Sequence, residues 1–251
     1  MDLCPWRGPS VPSVIRKRDL IAVGFRSLFI QASWNYERML GLGWAFAMMP
    51  ILHRLKLDDH GRKAFLKRSL GFFNTSPFVS SFALGTVAKL EEQGAEESID
   101  RIKGALAGPL GSLGDRFFWQ SLRPMAALLG VAAAQLWGVW GIPVFLLAFN
   151  LPHLFFRLYG VTRGYRLGLQ VAKEFSRPLY QALPRWSERL AALGLGILIG
   201  LSALGNQPTH WAWPAILVLS VGFGLVLLKK GRSPSLLFGL VLIAGMAATW
   251  F

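Results

Sequence analysis

A chain of 251 residues with 53% hydrophobic and only 16% charged positions, and a mean hydropathy of +0.42, is too apolar for an ordinary soluble domain and falls in the membrane class. Its single cysteine, Cys4, excludes a disulfide framework and a cysteine-based metal site. The excess of 27 Lys+Arg over 13 Asp+Glu, a net +14, would suggest nucleic acid in a soluble chain; here the bases flank long apolar runs, the positive-inside rule accounts for them, and no nucleic-acid partner is expected.

In chain order, the first twenty residues mix Pro, Arg, Lys and Asp without an apolar core, so an uncleaved, cytoplasmic N-terminus is expected. Asp19 is placed to cap a helix running to about residue 52, on which Gln31, Asn35 and Arg38 would share one face. A polar stripe on so apolar a helix predicts a position in the membrane interface or against protein. Residues 53–68 read as a basic cytoplasmic connector. The next twenty residues, 69–88, carry no charge and are long enough to cross a bilayer, yet Asn74, Thr75, Ser76 and Pro77 interrupt them. A charged stretch, KLEEQGAEESIDRIK, follows in water or at a subunit boundary. Then comes GALAGPLGSLG at 104–114, suited to close backbone packing or a broken helix. From Pro124 to Phe156 there are 33 residues without Asp, Glu, Lys or Arg. One span needs about 20 residues, so this is one long tilted helix or a hairpin turning at GVWGIP, 138–143. The basic flanks Arg123 and Arg157 favour the hairpin. Residues 157–189, with six arginines and Lys173, are expected in the cytoplasm, and spans are expected at 190–204, 212–228 and 236–251, with 206–211 outside. There is no fixed-period repeat.

None of His53, His60, His153 and His210 stands at metal-ligand spacing with further ligands, and the signatures of nucleotide hydrolysis, serine hydrolysis and zinc proteolysis are missing. No catalytic residue, metal or cofactor is therefore expected. What remains is a set of polar residues in apolar context, each costly if it faces lipid. They are Gln31, Asn35, Glu37 and Arg38; Asn74, Thr75 and Ser76; Glu91, Glu92 and Gln93; Asp115, Gln120 and Arg123; and Asn150 and His153. Carboxylates and amides both answer the hydroxyls of a sugar, and Trp34 and Trp119 could cover an apolar ring face. Taken singly, each residue also has a structural reading: Glu37 or Asp115 paired with an arginine, or N-T-S-P ending a half-helix. Taken as a set they read as a polar site.

Four segments, RSLFIQASWNYERMLGLG, FFNTSPFVSSFALGTVAKLEEQ, ALAGPLGSLGDRFFWQSLRP and FNLPHLFFRLYGVTRGYRLG, resemble in order and spacing the IID membrane component of the mannose/fructose/sorbose family of the bacterial sugar phosphotransferase system, densely over residues 19–170. The resemblance implies an all-α integral membrane protein with an N-terminal amphipathic helix, re-entrant hairpins or broken helices, and about three C-terminal spans. It would comprise a tail, 1–18, and a membrane domain, 19–251, whose hairpin-rich part is 19–189 and whose C-terminal spans are 190–251. It implies location in the bacterial inner membrane and work with a IIC subunit, in a multimer of IIC–IID pairs, to translocate a hexose. Cytoplasmic IIA and IIB would relay phosphate from phosphoenolpyruvate, and IIB would phosphorylate the sugar, so IID alone is not an enzyme. Candidate sugar-binding or translocation residues are Asn74, Thr75, Glu91, Glu92, Gln93, Asp115, Trp119 and Arg123. Candidate packing or partner residues are Gln31, Trp34, Asn35, Glu37 and Arg38. Family members usually carry Gly-Asp-Pro where this chain has Gly114-Asp115-Arg116, and they are longer beyond residue 205. A regulatory or scaffolding membrane protein derived from the same system is the alternative reading.

Overall fold

The structure is a computed structural model that describes residues 14–205. Residues 1–13 of the expected tail, the expected 206–211 loop and the spans expected at 212–228 and 236–251 lie outside the described residues. The chain divides into two compact units, Met1–Leu198 and Ile199–Phe251, and the packing below is that of the first. Among the described residues the regular structure is helical, apart from isolated bridges joining Asn35 with Met39 and Met39 with Phe73.

Helix α1, Lys17–Arg26, starts with a capping box in which Asp19 is the third helical residue rather than the cap. Its carboxylate accepts the Arg16 N–H at 2.9 Å and, at 2.7 and 3.0 Å, two donors of Arg54 near the end of α2, Gly41–Leu55. The single helix expected from Asp19 to residue 52 does not form. A 3-10 turn, Ser27–Phe29, ends α1, and residues 30–40 are irregular, so Gln31, Asn35 and Arg38 share no helical face. The cause is partly local: the Asn35 side-chain oxygen accepts the Arg38 N–H and its carbonyl accepts the Met39 N–H, each at 2.8 Å, with Met39 at φ 52. It is also tertiary, because a Cβ on Gly43 would stand 2.0 Å from the Ile30 carbonyl oxygen. The loop and α2 touch backbone to backbone.

The basic connector folds as α3, Asp59–Leu70, with Asp58 as its N-cap accepting from the Gly61 N–H at 2.8 Å. The uncharged run at 69–88 is not one helix either: residues 71–79 are irregular and α4 begins only at Ser80, running to Glu92. In contrast, the glycine-rich 104–114 segment is continuous helix, part of α5, Glu96–Gly114, despite Pro109. The irregularity follows it, as an eight-residue π-helical stretch, Asp115–Leu122, leading without a turn into α6, Arg123–Trp137. At GVWGIP the chain reverses through a 3-10 turn, Gly138–Trp140, with Gly138 at φ 59, into α7, Gly141–Leu167. Helices α6 and α7 lie against each other where a Cβ on Gly141 would be 2.4 Å from the Gly130 carbonyl oxygen. Two further helices follow, α8, Val171–Phe175, and α9, Pro178–Gly205.

The centre of the unit is the contact of α4 with α7. Cβ atoms on Gly85 and Gly164 would fall 2.0 Å from the Val161 carbonyl oxygen and 2.1 Å from that of Phe82. The Ser81 hydroxyl donates across the interface to the Phe156 carbonyl at 2.9 Å. Around this contact Phe82, Phe118, Trp44 and Phe73 are fully or almost fully buried. The outer surface is different. The stretch Glu96–Phe175 holds a window of mean hydropathy 1.7 that is only 17% buried, long and apolar enough to cross a membrane. Val131, Leu136, Leu147, Leu151 and Phe155 point outward along it.

Gly164→Val forces branched atoms into the α4 backbone and should cost about 3 kcal/mol, read as a fall in the thermal midpoint of the detergent-solubilised protein. Gly104→Ala, where a Cβ meets nothing within 4 Å, should leave the midpoint unchanged or raise it.

Candidate functional site

The interruption at N-T-S-P sets up a polar recess. Pro77 has no N–H to continue a helix backward from α4, and the Ser76 carbonyl instead accepts the Val79 and Ser80 N–H groups at 3.3 and 3.1 Å. The Ser80 hydroxyl donates to the Pro77 carbonyl at 2.8 Å. Thr75 stitches the loop to α5 by donating to the Ala107 carbonyl at 2.9 Å. Ser76 is 3% exposed, and its hydroxyl has no hydrogen-bond partner among the described residues. It packs so closely on α5 that a Cβ on Gly114 would stand 2.2 Å from its Oγ.

Between this loop, the 31–40 loop and α5 lies a cleft of about 420 Å³, lined by Gln31, Trp34, Leu40, Asn74, Thr75, Ser76, Pro77, Ala107, Gly108, Gly111, Ser112 and Asp115. The volume lies within the usual range for small-molecule sites. Its chemistry is amide, hydroxyl and carboxylate with one indole ring. Asn74 and Asp115 are exposed, and Asp115 makes no ion pair among the described residues. Trp119 of the π-helical stretch and Arg123 at the start of α6 follow Asp115, the guanidinium lying 5.1 Å from the Trp119 ring centre and that ring meeting Phe78 edge-on at 5.6 Å. They adjoin the cleft without lining it. Glu37 is exposed and pairs with Arg38 at 3.5 Å, and Asn35 serves its own turn.

The family comparison decides what kind of protein carries this cleft. Residues 14–205 match the family described as the PTS system mannose/fructose/sorbose family IID component. The chain belongs to that family. It is 39% identical over 209 residues to the mannose-specific EIID component of Escherichia coli K12, covering 80% of this chain and 72% of that one. It is 35% identical over 200 residues to the sorbose-specific EIID component of Klebsiella pneumoniae, covering 77% and 73%. Among solved structures, the mannose transporter ManYZ in complex with microcin E492 aligns with a TM-score of 0.59 at 31% identity, over 94% of this chain and 96% of that one. A second structure, described only as a membrane protein, aligns at 0.67 and 30%, over 93% and 96%. This EIID chain is thus a membrane protein of the sugar phosphotransferase system.

The remaining candidates of the EIID chain stand elsewhere. Glu91, Glu92 and Gln93 end α4, about 18 Å of helix from Ser80, and they lie outside the Glu96–Phe175 stretch. Glu91 is held by Arg68 at 2.8 and 3.2 Å, and Arg68 also reaches Glu96 at 2.7 Å. Burial lifts the Glu91 carboxyl above the usual range against the pull of Arg68. Glu92 accepts the Val14 and Ile15 N–H groups, each at 2.8 Å, the Tyr165 hydroxyl, and Lys89 at 3.1 Å. Burial works to raise its pKa, but the Ile15, Tyr165 and Lys89 hydrogen bonds together outweigh it and leave the carboxyl lowered. Both glutamates have tasks in the fold. The sequence indicated their polarity, but their partners are remote in the chain. The cleft's α5 wall, from Ala107 to Ser112, was absent from the candidate set; its only signal was the glycine spacing.

Because the Glu92 pKa lies below the ordinary 4.5 in the folded chain, its contribution is complete above that value and disappears as pH falls through the folded pKa. Glu92→Gln should lower the thermal midpoint at pH 7 and shrink the midpoint's fall between pH 6 and pH 3, measured in detergent.

Proposed function

We propose that this chain is the IID membrane subunit of a mannose-family permease that translocates a hexose together with a IIC subunit, while IIB phosphorylates the sugar with phosphate relayed from phosphoenolpyruvate through IIA. The observation that carries the reading is the cleft at the N-T-S-P break, the place where amide, hydroxyl and carboxylate groups converge in an otherwise apolar chain. Asn74 and Asp115 supply donors and acceptors to sugar hydroxyls, Gln31 a second amide, and Trp34 an apolar ring face. Trp119 and Arg123 stand at its edge, while Glu91, Glu92 and Gln93 hold the far end of α4 rather than the sugar. The outward-facing α6–α7 hairpin enters the bilayer of the bacterial inner membrane and leaves by the side it entered, so its basic flanks, the 53–68 segment and the N-terminus are cytoplasmic. Residues 1–18 are a tail to a membrane domain, 19–251. The chain itself holds no phosphorylated group, and IIC–IID pairs assemble into a multimer.

The test is phosphoenolpyruvate-dependent uptake of a hexose panel by membrane vesicles supplied with IIA, IIB and IIC. Asp115→Asn and Asn74→Leu should each reduce uptake of the transported hexose about tenfold at unchanged protein level, since a hydrogen bond is worth roughly 0.5–1.5 kcal/mol at a neutral amide and roughly 1.5–3 kcal/mol at a carboxylate. Uptake equal to wild type for every hexose would overturn the reading. Arg116, exposed and without an ion pair among the described residues, supports a second reading, a scaffolding or regulatory subunit. There Arg116→Pro would weaken a partner contact and leave uptake unchanged.

A further inference from the structure

The buried carboxylates of the described chain each have a base against them: Asp19 has Arg54 at 2.7 Å, Glu91 has Arg68 at 2.8 Å, Glu92 has Lys89 at 3.1 Å and Glu174 has Arg163 at 2.9 Å. The two buried cations, Lys103 and Arg157, form no ion pair among the described residues. Taking a charge out of water without a counter-ion is costly. Arg157 closes the end of α1 through the Ser27 carbonyl. Lys103 stands in a different place, one turn of α5 before Ala107, where the wall of the cleft begins.

The Lys103 ammonium donates to the Arg68 carbonyl near the end of α3 at 2.7 Å. It also lies 5.1 Å from the ring centre of Trp44, near the start of α2, and 5.9 Å from that of Phe73, and the two rings meet edge-on at 4.5 Å. Phe73 directly precedes Asn74. Its carbonyl accepts the Leu40 N–H at 2.9 Å and its N–H reaches the Arg38 carbonyl at 3.4 Å, so the 71–79 and 31–40 segments are joined at this residue. On the other side of Asn74, Thr75 is fixed to Ala107. Asn74 is therefore held between a hydroxyl bonded to α5 and a ring that rests on an α5 lysine. Lys103 does not line the cleft and can act on it only through these neighbours. A compact ammonium serves a carbonyl and two ring faces at once; an apolar side chain of the same length serves none of them.

We propose that Lys103 is a positioning residue for the cleft: its ammonium sets the distance between the α5 wall and the two joined loops, and with it the placing of Asn74 and Trp34 relative to Asp115. The proposal rests on the reading that the cleft takes the hexose. The competing role is a charge that ties α3 to α5 with no bearing on the cleft. The bond to the Arg68 carbonyl fits either role. The Trp44 and Phe73 contacts favour positioning, because neither ring belongs to α3 and Phe73 carries the join between the loops.

The test pairs uptake kinetics, in vesicles supplied with IIA, IIB and IIC, with the distance between spin labels at Tyr36 of the 31–40 loop and Gly104 of α5, both exposed, in a Cys4→Ser background. Lys103→Met keeps the stem and removes the charge. It should raise KM for the transported hexose about tenfold with Vmax within about twofold of wild type, and move the label distance by about the length of a hydrogen bond, roughly 3 Å. Lys103→Gln, which keeps one neutral donor for the carbonyl and no charge for the rings, should fall between the two. Lys67→Met removes an exposed lysine of α3 and should change neither quantity. Label distances equal to wild type in Lys103→Met and Lys103→Gln overturn the positioning role, as does the absence of both variants from the membrane. A moved label with unchanged KM leaves the lysine's hold on the loops and overturns the cleft as the hexose site. If the wild type carries no hexose of the panel, the sugar reading fails and the label distance alone decides what Lys103 does.

Discussion

The backbone contact between α4 and α7 is the constraint on which the rest of the molecule depends. Gly85 against the Val161 carbonyl and Gly164 against that of Phe82 bring the two helix axes closer than side chains would permit. That closeness sets both ends of α4. At its start, Phe78 stacks on Phe118 of the π-helical stretch at 4.4 Å, and Phe82 meets Phe175 at 4.9 Å, and the N-T-S-P loop lies beside α5 and the 31–40 loop. At its end, Tyr165 of α7 meets Glu92, which in turn holds the first described residues, Val14 and Ile15. One interhelical distance thus positions the cleft and anchors the N-terminal segment.

Buried charge in this chain serves the fold. Arg157, 2% exposed, donates to the Ser27 carbonyl at the end of α1 and, at 3.2 Å, to His153 Nε2. Lys103, 3% exposed, donates to the Arg68 carbonyl at 2.7 Å, near the end of α3, and lies 5.1 Å from the Trp44 ring centre. Both cations stand at helix C-termini, where carbonyls lack helical donors and the helix dipole is negative. Glu174 is met by Arg163 and Arg177. The cleft differs from these satisfied groups: among the described residues Asp115 carries no ion pair, and Ser76 Oγ, like Trp44 Nε1, no hydrogen bond. The distinction between structural and available polarity lies in the partner and not in the residue type.

Several features were legible because their causes are local. Pro77 cannot extend α4 backward, so the break at 74–77 appears in sequence and structure alike. Gly138, with its positive φ, marks the turn between α6 and α7 within a few residues. Other features were read wrongly because a distant contact decided them. Residues 20–52 have the composition of one helix, yet the Ile30 carbonyl sits where a Gly43 side chain would be. Of the two readings open for GALAGPLGSLG, close backbone packing or a broken helix, the first holds: the segment is helical, and Gly114 lies against Ser76, where a Cβ would stand 2.2 Å from its Oγ. Intrinsic propensity is a weak guide wherever tertiary packing is strong.

Membrane class, family and the location of the break were therefore determined by the sequence itself: hydropathy, charge placement and proline act on the chain within a few residues of where they stand. Which polar residues share a cleft was decided only by the tertiary structure. Gln31, Asn74 and Asp115 converge, while Glu91 and Glu92, closer to Asn74 in sequence than Gln31 or Asp115, are drawn to Arg68, Tyr165 and the N-terminal backbone. A hydrogen bond is made to whatever the fold brings within about 3 Å. That proximity comes from helices packed at a glycine, a contact between residues some eighty positions apart.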